Sequence, residues 1–148
     1  ERRNNLDIKT NLFINKKLNE MTLVTSKNHS NSVLRSLIEH IKFEKTVTMG
    51  SIGCKIASII RGESDIYICM SLPGESSPSD WDFAAPEAIL KTAGGAITNL
   101  ENEGLNYFKK DFKQGGIIIA SNNNQNHEKL CFQIKEIIYK NKLYPLDY

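Results

Sequence analysis

The 148-residue chain is short of cysteine, net charge and long apolar runs, and each shortage argues against a class of protein. Its three cysteines, Cys54, Cys69 and Cys131, are odd in number and show neither C-x-x-C nor zinc spacing, which argues against a disulfide framework or a structural metal. They read as buried thiols. No pair of its three histidines has metal-ligand spacing, and His40 and His127 read as surface positions on helices. Nineteen Lys and Arg against 17 Asp and Glu leave a formal charge of +2 with no block of like charge, so neither nucleic acid nor a membrane surface is an expected partner. The apolar runs are a few residues long, too short to span a bilayer, and no charged-then-apolar leader opens the chain. A soluble, cytoplasmic protein is the expectation.

With 40% hydrophobic residues, the chain is long enough for one domain with a real core and too short for two ordinary ones. It opens on Glu1, and residues 1–20 are polar with scattered Leu, Ile and Phe, so they are expected to continue from an N-terminal domain outside this sequence. Residues 21–148 are expected to form one α/β domain. "MTLVTS" reads as a strand, followed by Ser30 as a helix cap and by Val33, Leu34, Leu37, Ile38 and Ile41 on one helical face. "KTVTM" and "DIYICM" read as strands around the helix "GCKIASIIRG", which should end at Gly62. "GAITNL" and "LNYF" are short strand candidates, and "GGIIIA" has the apolar run of a strand buried on both faces. The last helix carries Leu130, Cys131, Ile134, Ile137 and Ile138 on one side. Strand and helix in alternation predict an α/β fold, a mixed or parallel sheet with helices on both faces.

The stretch "SDWDFAAPEAILKTAGG" places an aspartate beside the only tryptophan and then starts an apolar helix. Pro86 has no backbone N–H to donate, which predicts a first-turn position and a helix start at about Asp82 to Ala85. Ala85, Ile89, Leu90 and Ala93 form the apolar stripe, and Gly94-Gly95 is the stop. Asp82 then has two readings. An aspartate at a helix start accepts orphan backbone N–H bonds; a carboxylate beside a desolvating indole, after a flexible loop, also suits a hard divalent cation. Only Asp80 and Glu87 lie near it in sequence.

Two further loops carry candidate chemistry. In "GSIGCK", Ser51 and Lys55 sit on a glycine-flanked turn into a helix, where N–H groups, a hydroxyl and an ammonium can converge on a phosphate. A capping serine and a solvated lysine are the plainer reading of the same pair. His29, in "SKNH", follows the first strand, where α/β proteins put ligand residues beyond strand C-termini.

Three of these blocks, in order, resemble the C-terminal half of the magnesium-dependent, lithium-sensitive phosphatases of the inositol monophosphatase family, and within it the 3'(2'),5'-bisphosphate nucleotidases. "WDFAAPEAILKTAGG" is similar to the family's W-D-x-A-A-G signature with its apolar helix and A-G-G; "GSIGCKIASIIRGESDIYI" resembles the segment before it; "SKNH" is similar to the nucleotidase S-R-S-H. The resemblance runs from about Thr22 to Asn123. It implies that Asp82 is a ligand of a catalytic Mg²⁺ and that His29, Ser51 and Lys55 hold a small phosphorylated metabolite, a nucleotide bisphosphate or an inositol phosphate. It implies equally that an N-terminal domain with a D-P-[IL]-D-G-T block supplies the remaining metal ligands, without which this part is expected to be inactive. Pro86 replaces the signature's glycine, and Cys69 stands where nucleotidases carry a phosphate-binding arginine. A non-catalytic nucleotide- or phosphate-binding module is the alternative, and a homo-oligomer remains compatible with the sequence.

Overall fold

The computed structural model describes residues 16–27 and 31–146. His29 and Ser30 therefore lie outside the described residues, as does most of the segment 1–20. A single 3₁₀ turn, Leu18–Glu20, leads into the domain.

Five strands form one mixed sheet. β1 (Thr22–Ser26), β2 (Lys45–Met49) and β3 (Ile66–Ser71) run parallel, joined by the crossover helices α1 (Ser32–Ile41) and α2 (Ile52–Ile60). After β3 come α3 (Asp80–Thr92), β4 (Ala96–Asn99), β5 (Gly116–Ser121) and α4 (Asn124–Asn141). The spatial order is β2-β1-β3-β5-β4, with β5 antiparallel to both neighbours and β2 and β4 at the edges. "GGIIIA" thus becomes an interior strand whose residues 117–121 are all buried, as its unbroken apolar run requires.

Strand residues alternate between two cores. Leu23, Ile66, Ile68, Ile117 and Ile119 pack with Leu34 and Leu37 of α1 and Leu130, Ile134 and Ile138 of α4. Val24, Tyr67, Ile118 and Ala120 pack on the opposite face with Ile56 and Ile59 of α2 and Phe83 and Leu90 of α3. The expected arrangement of helices on both faces is what forms. Among the described residues no helix is long and apolar enough to cross a membrane.

Local corrections follow from capping and packing. Asn31 caps α1, its Oδ1 accepting the Leu34 N–H at 2.9 Å. α3 starts at Asp80 behind Ser79, earlier than expected, because Ser79 and Asp82 form a reciprocal capping box. Pro86 consequently lies inside the helix, not in its first turn. "LNYF" forms no strand; its tyrosine instead donates to Glu87 of α3. The outer stripe expected to be buried is exposed at Ala85, Ile89 and Ala93, and the core face of α3 is Asp80, Phe83, Glu87 and Leu90. Of the cysteines only Cys131 is buried; Cys69 is half-buried, and Cys54 faces solvent from the first turn of α2. His40 is exposed as expected, but His127 is 1% exposed. Its Nδ1 meets Ser121 Oγ at 2.6 Å and its Nε2 meets Thr98 Oγ1 at 2.7 Å, so neighbouring hydroxyls satisfy it in the core.

Candidate functional site

β1 feeds a crossover toward β2, whereas β3 feeds its connection toward the other side of the sheet, so a crevice opens beyond the C-terminal ends of these neighbours. A cavity of about 620 Å³ lies there. Ser26 from the end of β1, Gly50 and Ser51 from the turn after β2, Met70 and Ser71 from the end of β3, and Asp82 from α3 all line it. Three of the four residues singled out from sequence, Ser51, Lys55 and Asp82, are brought to this one cavity. The fourth, His29, is outside the described residues.

Ser51 caps α2, its Oγ accepting the Cys54 N–H at 3.1 Å. The plainer capping role is therefore realised, at an exposed residue on the cavity wall. Lys55 departs from its plainer reading. Its side chain turns inward from the first turn of α2 and is 1% exposed, with Nζ donating to Ser26 Oγ at 2.8 Å and to Gly50 O at 3.1 Å. The ammonium lies 5.3 Å from the centroid of the Tyr67 ring, a cation–π contact. Among the described residues no carboxylate forms an ion pair with it. Burial lowers its pKa, opposed by the sulfurs of Cys69 and Cys54. A buried cation without a counter-charge is costly, and an anion entering the cavity would relieve that cost.

Asp82 occupies the third position of α3, where its Oδ2 accepts the Ser79 N–H at 2.9 Å. The residue is exposed at the cavity rim. Trp81 does not desolvate it: the indole is 71% exposed. Nor do the neighbouring acids join it, since helical spacing turns both to the core. Asp80 Oδ1 accepts from Gln114 Nε2 at 2.7 Å while its Oδ2 is buried without a hydrogen-bond partner. Glu87 accepts from the Tyr107 hydroxyl and pairs with Lys91 at 2.5 Å. Burial first, then the hydrogen bond to Glu87, raises the Tyr107 pKa. No group of three or more metal-ligating side chains forms among the described residues. Among the described residues Asp82 and Glu75 are the carboxylates that line the cavity, too few ligands to make a closed site for a hard divalent ion.

Cys69 lines the cavity as a neutral thiol, because burial raises its pKa more than Tyr67, Ser71 and the Lys55 charge lower it. Three lining residues went unnoticed in the sequence. Ser26 anchors Lys55. Asn31, besides capping α1, donates from Nδ2 to Met70 O at 2.7 Å and so ties that helix to the end of β3. Tyr67 forms the floor under the ammonium, its phenol pushed up strongly by burial. Ser26 ends β1, Asn31 precedes the first residue of α1 and Tyr67 is the second residue of β3, so no one position in the pattern separates the three from other polar residues at the ends of elements.

The sequence profile of the inositol monophosphatase family matches residues 4–139. The 3'(2'),5'-bisphosphate nucleotidase 1 of Mus musculus is 30% identical over 125 residues, which are 83% of this chain and 38% of that relative. Among solved structures, the Thermotoga maritima IMPase superposes with a TM-score of 0.62 at 22% identity, covering 85% of this chain and 44% of that one. The staphylococcal IMPase-II with inositol monophosphate bound gives 0.63 at 20% identity over 86% of this chain and 46% of the other; with 2'AMP bound it gives 0.59 at 19% over 87% and 48%. This chain spans well under half the length of the curated relative it matches.

Proposed function

The chain belongs to the inositol monophosphatase family, and from that membership we propose that it is the C-terminal domain of a two-part Mg²⁺-dependent phosphomonoesterase acting on a 3'-phosphorylated adenosine nucleotide. The observation that carries the reading is the buried Lys55 ammonium, unpaired with any described carboxylate, on the floor of a cavity that has Asp82 at its rim. Similarity to bisphosphate nucleotidases supports the substrate class.

In this reading Lys55 neutralises a phosphate, Ser51 and the N-terminal turn of α2 offer hydrogen bonds to its oxygens, and Ser26 and Gly50 hold the ammonium in position. His29 would complete the nucleotide contacts. Asp82 would supply one oxygen to the metal, consistent with its exposure at the rim. A bound Mg²⁺ polarises the phosphate and lowers the pKa of an attacking water. The described residues gather no cluster of three or more metal ligands, and Mg²⁺ keeps its waters unless several oxygens replace them, so the chain alone is expected to release no phosphate.

An inositol-phosphate substrate is favoured by one observation. The neutral Cys69 occupies the wall of the cavity, and among the described lining residues Lys55 is the one cation, against the carboxylates of Glu75 and Asp82. The test compares adenosine 3',5'-bisphosphate with inositol 1-phosphate in a Mg²⁺-dependent phosphate-release assay on the assembled enzyme. Lys55→Met should raise KM for the bisphosphate about tenfold or more, the equivalent of roughly 1.5–3 kcal/mol for a charge-assisted bond. Its effect on inositol 1-phosphate, which has no second phosphate, should be much smaller. Equal effects on both substrates would favour the inositol-phosphate reading.

A further inference from the structure

The loop between β3 and α3 is held at its two ends. The buried Tyr144 donates its hydroxyl to Ser71 O at 2.5 Å, and the Gln114 N–H donates to Pro78 O at 2.8 Å. Between these points Leu72-Pro73-Gly74-Glu75 closes a turn of its own, in which the Glu75 N–H donates to Leu72 O at 3.1 Å and Gly74 takes a φ of 84°. Pro at the second position and a positive φ on Gly at the third are what a type II turn requires, so "LPGE" makes the tip of the loop rigid. Among the described residues no hydrogen bond ties residues 72–77 to the rest of the protein. Ser71, Glu75, Ser76 and Ser77 line the cavity that holds Lys55 and also a second one of about 460 Å³. The loop is therefore a strap that adjoins two cavities at once, with Glu75 on its rigid tip.

Glu75 differs from the other acids of this region. Asp82 has one oxygen on the Ser79 N–H, Asp80 and Glu87 turn into the core, and Asp111 accepts the Lys113 N–H at 3.1 Å. The Glu75 side chain is exposed and takes part in no hydrogen bond or ion pair among the described residues. Its carboxylate and the Lys55 ammonium line one cavity with opposite demands. An ammonium attracts a phosphate, whereas a carboxylate repels it and accepts hydrogen bonds from neutral donors. A phosphorylated metabolite meets both demands when the ring that bears its phosphate also bears a free hydroxyl, as a ribose or a cyclitol does. Acidic side chains read ribose hydroxyls at other α/β nucleotide sites. We propose that Glu75 is a specificity-determining residue that accepts a hydrogen bond from a free ring hydroxyl of the ligand. The proposal rests on the phosphatase reading for the choice of ligand, but binding tests it without turnover.

In adenosine 3',5'-bisphosphate the 2'-hydroxyl is the free one on the ring, so its 2'-deoxy analogue isolates the contact. The test is calorimetry on the assembled protein without Mg²⁺, comparing these two ligands and inositol 1-phosphate. The parent should bind the ribonucleotide about tenfold or more tightly than the deoxynucleotide, as a site built around a hydroxyl does. Glu75→Ala should bring the two within about twofold by weakening the ribonucleotide alone. Because Glu75 makes no bond within the fold, circular dichroism and the melting temperature of the variant should match the parent. If inositol 1-phosphate is the ligand that binds, Glu75→Ala should weaken it by about tenfold, and an unchanged affinity overturns the proposal. It is also overturned if the parent does not distinguish the two nucleotides, if the preference survives in Glu75→Ala, or if none of the three ligands binds. A Glu75-dependent preference without Mg²⁺-dependent phosphate release upholds the contact and removes the phosphatase reading, whereas release of phosphate without the preference does the reverse.

Discussion

His127 and Asp82 show how differently two polar side chains are used in one small domain. The imidazole of His127 is neutral in the core: Thr98 Oγ1 donates to Asn99 O at 2.8 Å, so it accepts from Nε2–H, and Ser121 donates to Nδ1. Burial pushes its pKa down from 6.5 to about 4. Below pH 6.5 the unfolded chain binds a proton that the folded one refuses until about pH 4. The stability that follows is fully present above pH 6.5 and is lost as pH falls toward 4, on the order of 3 kcal/mol in total at roughly 1.4 kcal/mol per pK unit. Urea titrations at pH 7, 5.5 and 4 should show that loss, and His127→Gln should flatten the slope. Asp82 contributes less to the fold. Asn also accepts N–H bonds at a helix start, so Asp82→Asn should melt within about 1 kcal/mol of the parent chain. If the proposed phosphatase reading holds, the same substitution in the assembled protein should remove most Mg²⁺-dependent phosphate release. A loss of activity matched by a collapse in melting temperature would return Asp82 to a purely structural role.

At the scale of elements, the end of α3 is fixed by contact as well as by backbone freedom. Gly94 takes a positive φ of 91°, the stop that a glycine pair predicts, but the tighter constraint is Gly95. A Cβ there would lie 2.5 Å from Ser121 O and 2.6 Å from Leu90 Cδ1, so helix and strand approach too closely for any side chain. Gly95→Ala should cost roughly 1–3 kcal/mol by overpacking, measurable as a lower urea midpoint at unchanged slope. The strands and helices were legible from sequence because their apolar periodicity is strong, from "DIYICM" to the Leu130–Ile138 face. The orientation of α3 was not. Its core face includes Asp80 and Glu87, which a hydrophobicity pattern assigns to solvent, and their partners Gln114 and Tyr107 come from a loop far along the chain. His127 was misread for the same reason, its partners Thr98 and Ser121 being on other elements. Ser51, Lys55 and Asp82 were legible as candidates from local turn chemistry, whereas the inward course of Lys55 depends on Ser26 and Tyr67 of two other strands.

For the molecule as a whole, the parallel half of the sheet builds the cavity and the antiparallel half braces it, with Asp65 clasping the two. Its Oδ2 accepts the Thr22 N–H at 2.8 Å, and its Oδ1 accepts from Asn122 at 3.4 Å. The same sheet ends on β2, a five-residue strand that has no strand partner on one side among the described residues and a largely exposed surface. An open edge of this kind is a template onto which another chain can add, and short length with an exposed lysine is what ordinarily discourages it. Lys45 stands at the start of β2, followed by Thr46 and Thr48, all exposed. Lys45→Val with Thr46→Val would leave the cavity and both cores intact while making the edge adhesive. Such a variant should scatter light and bind thioflavin T at concentrations where the parent chain stays clear; on this account solubility is guarded at the rim of the sheet by a single charged residue and two hydroxyls.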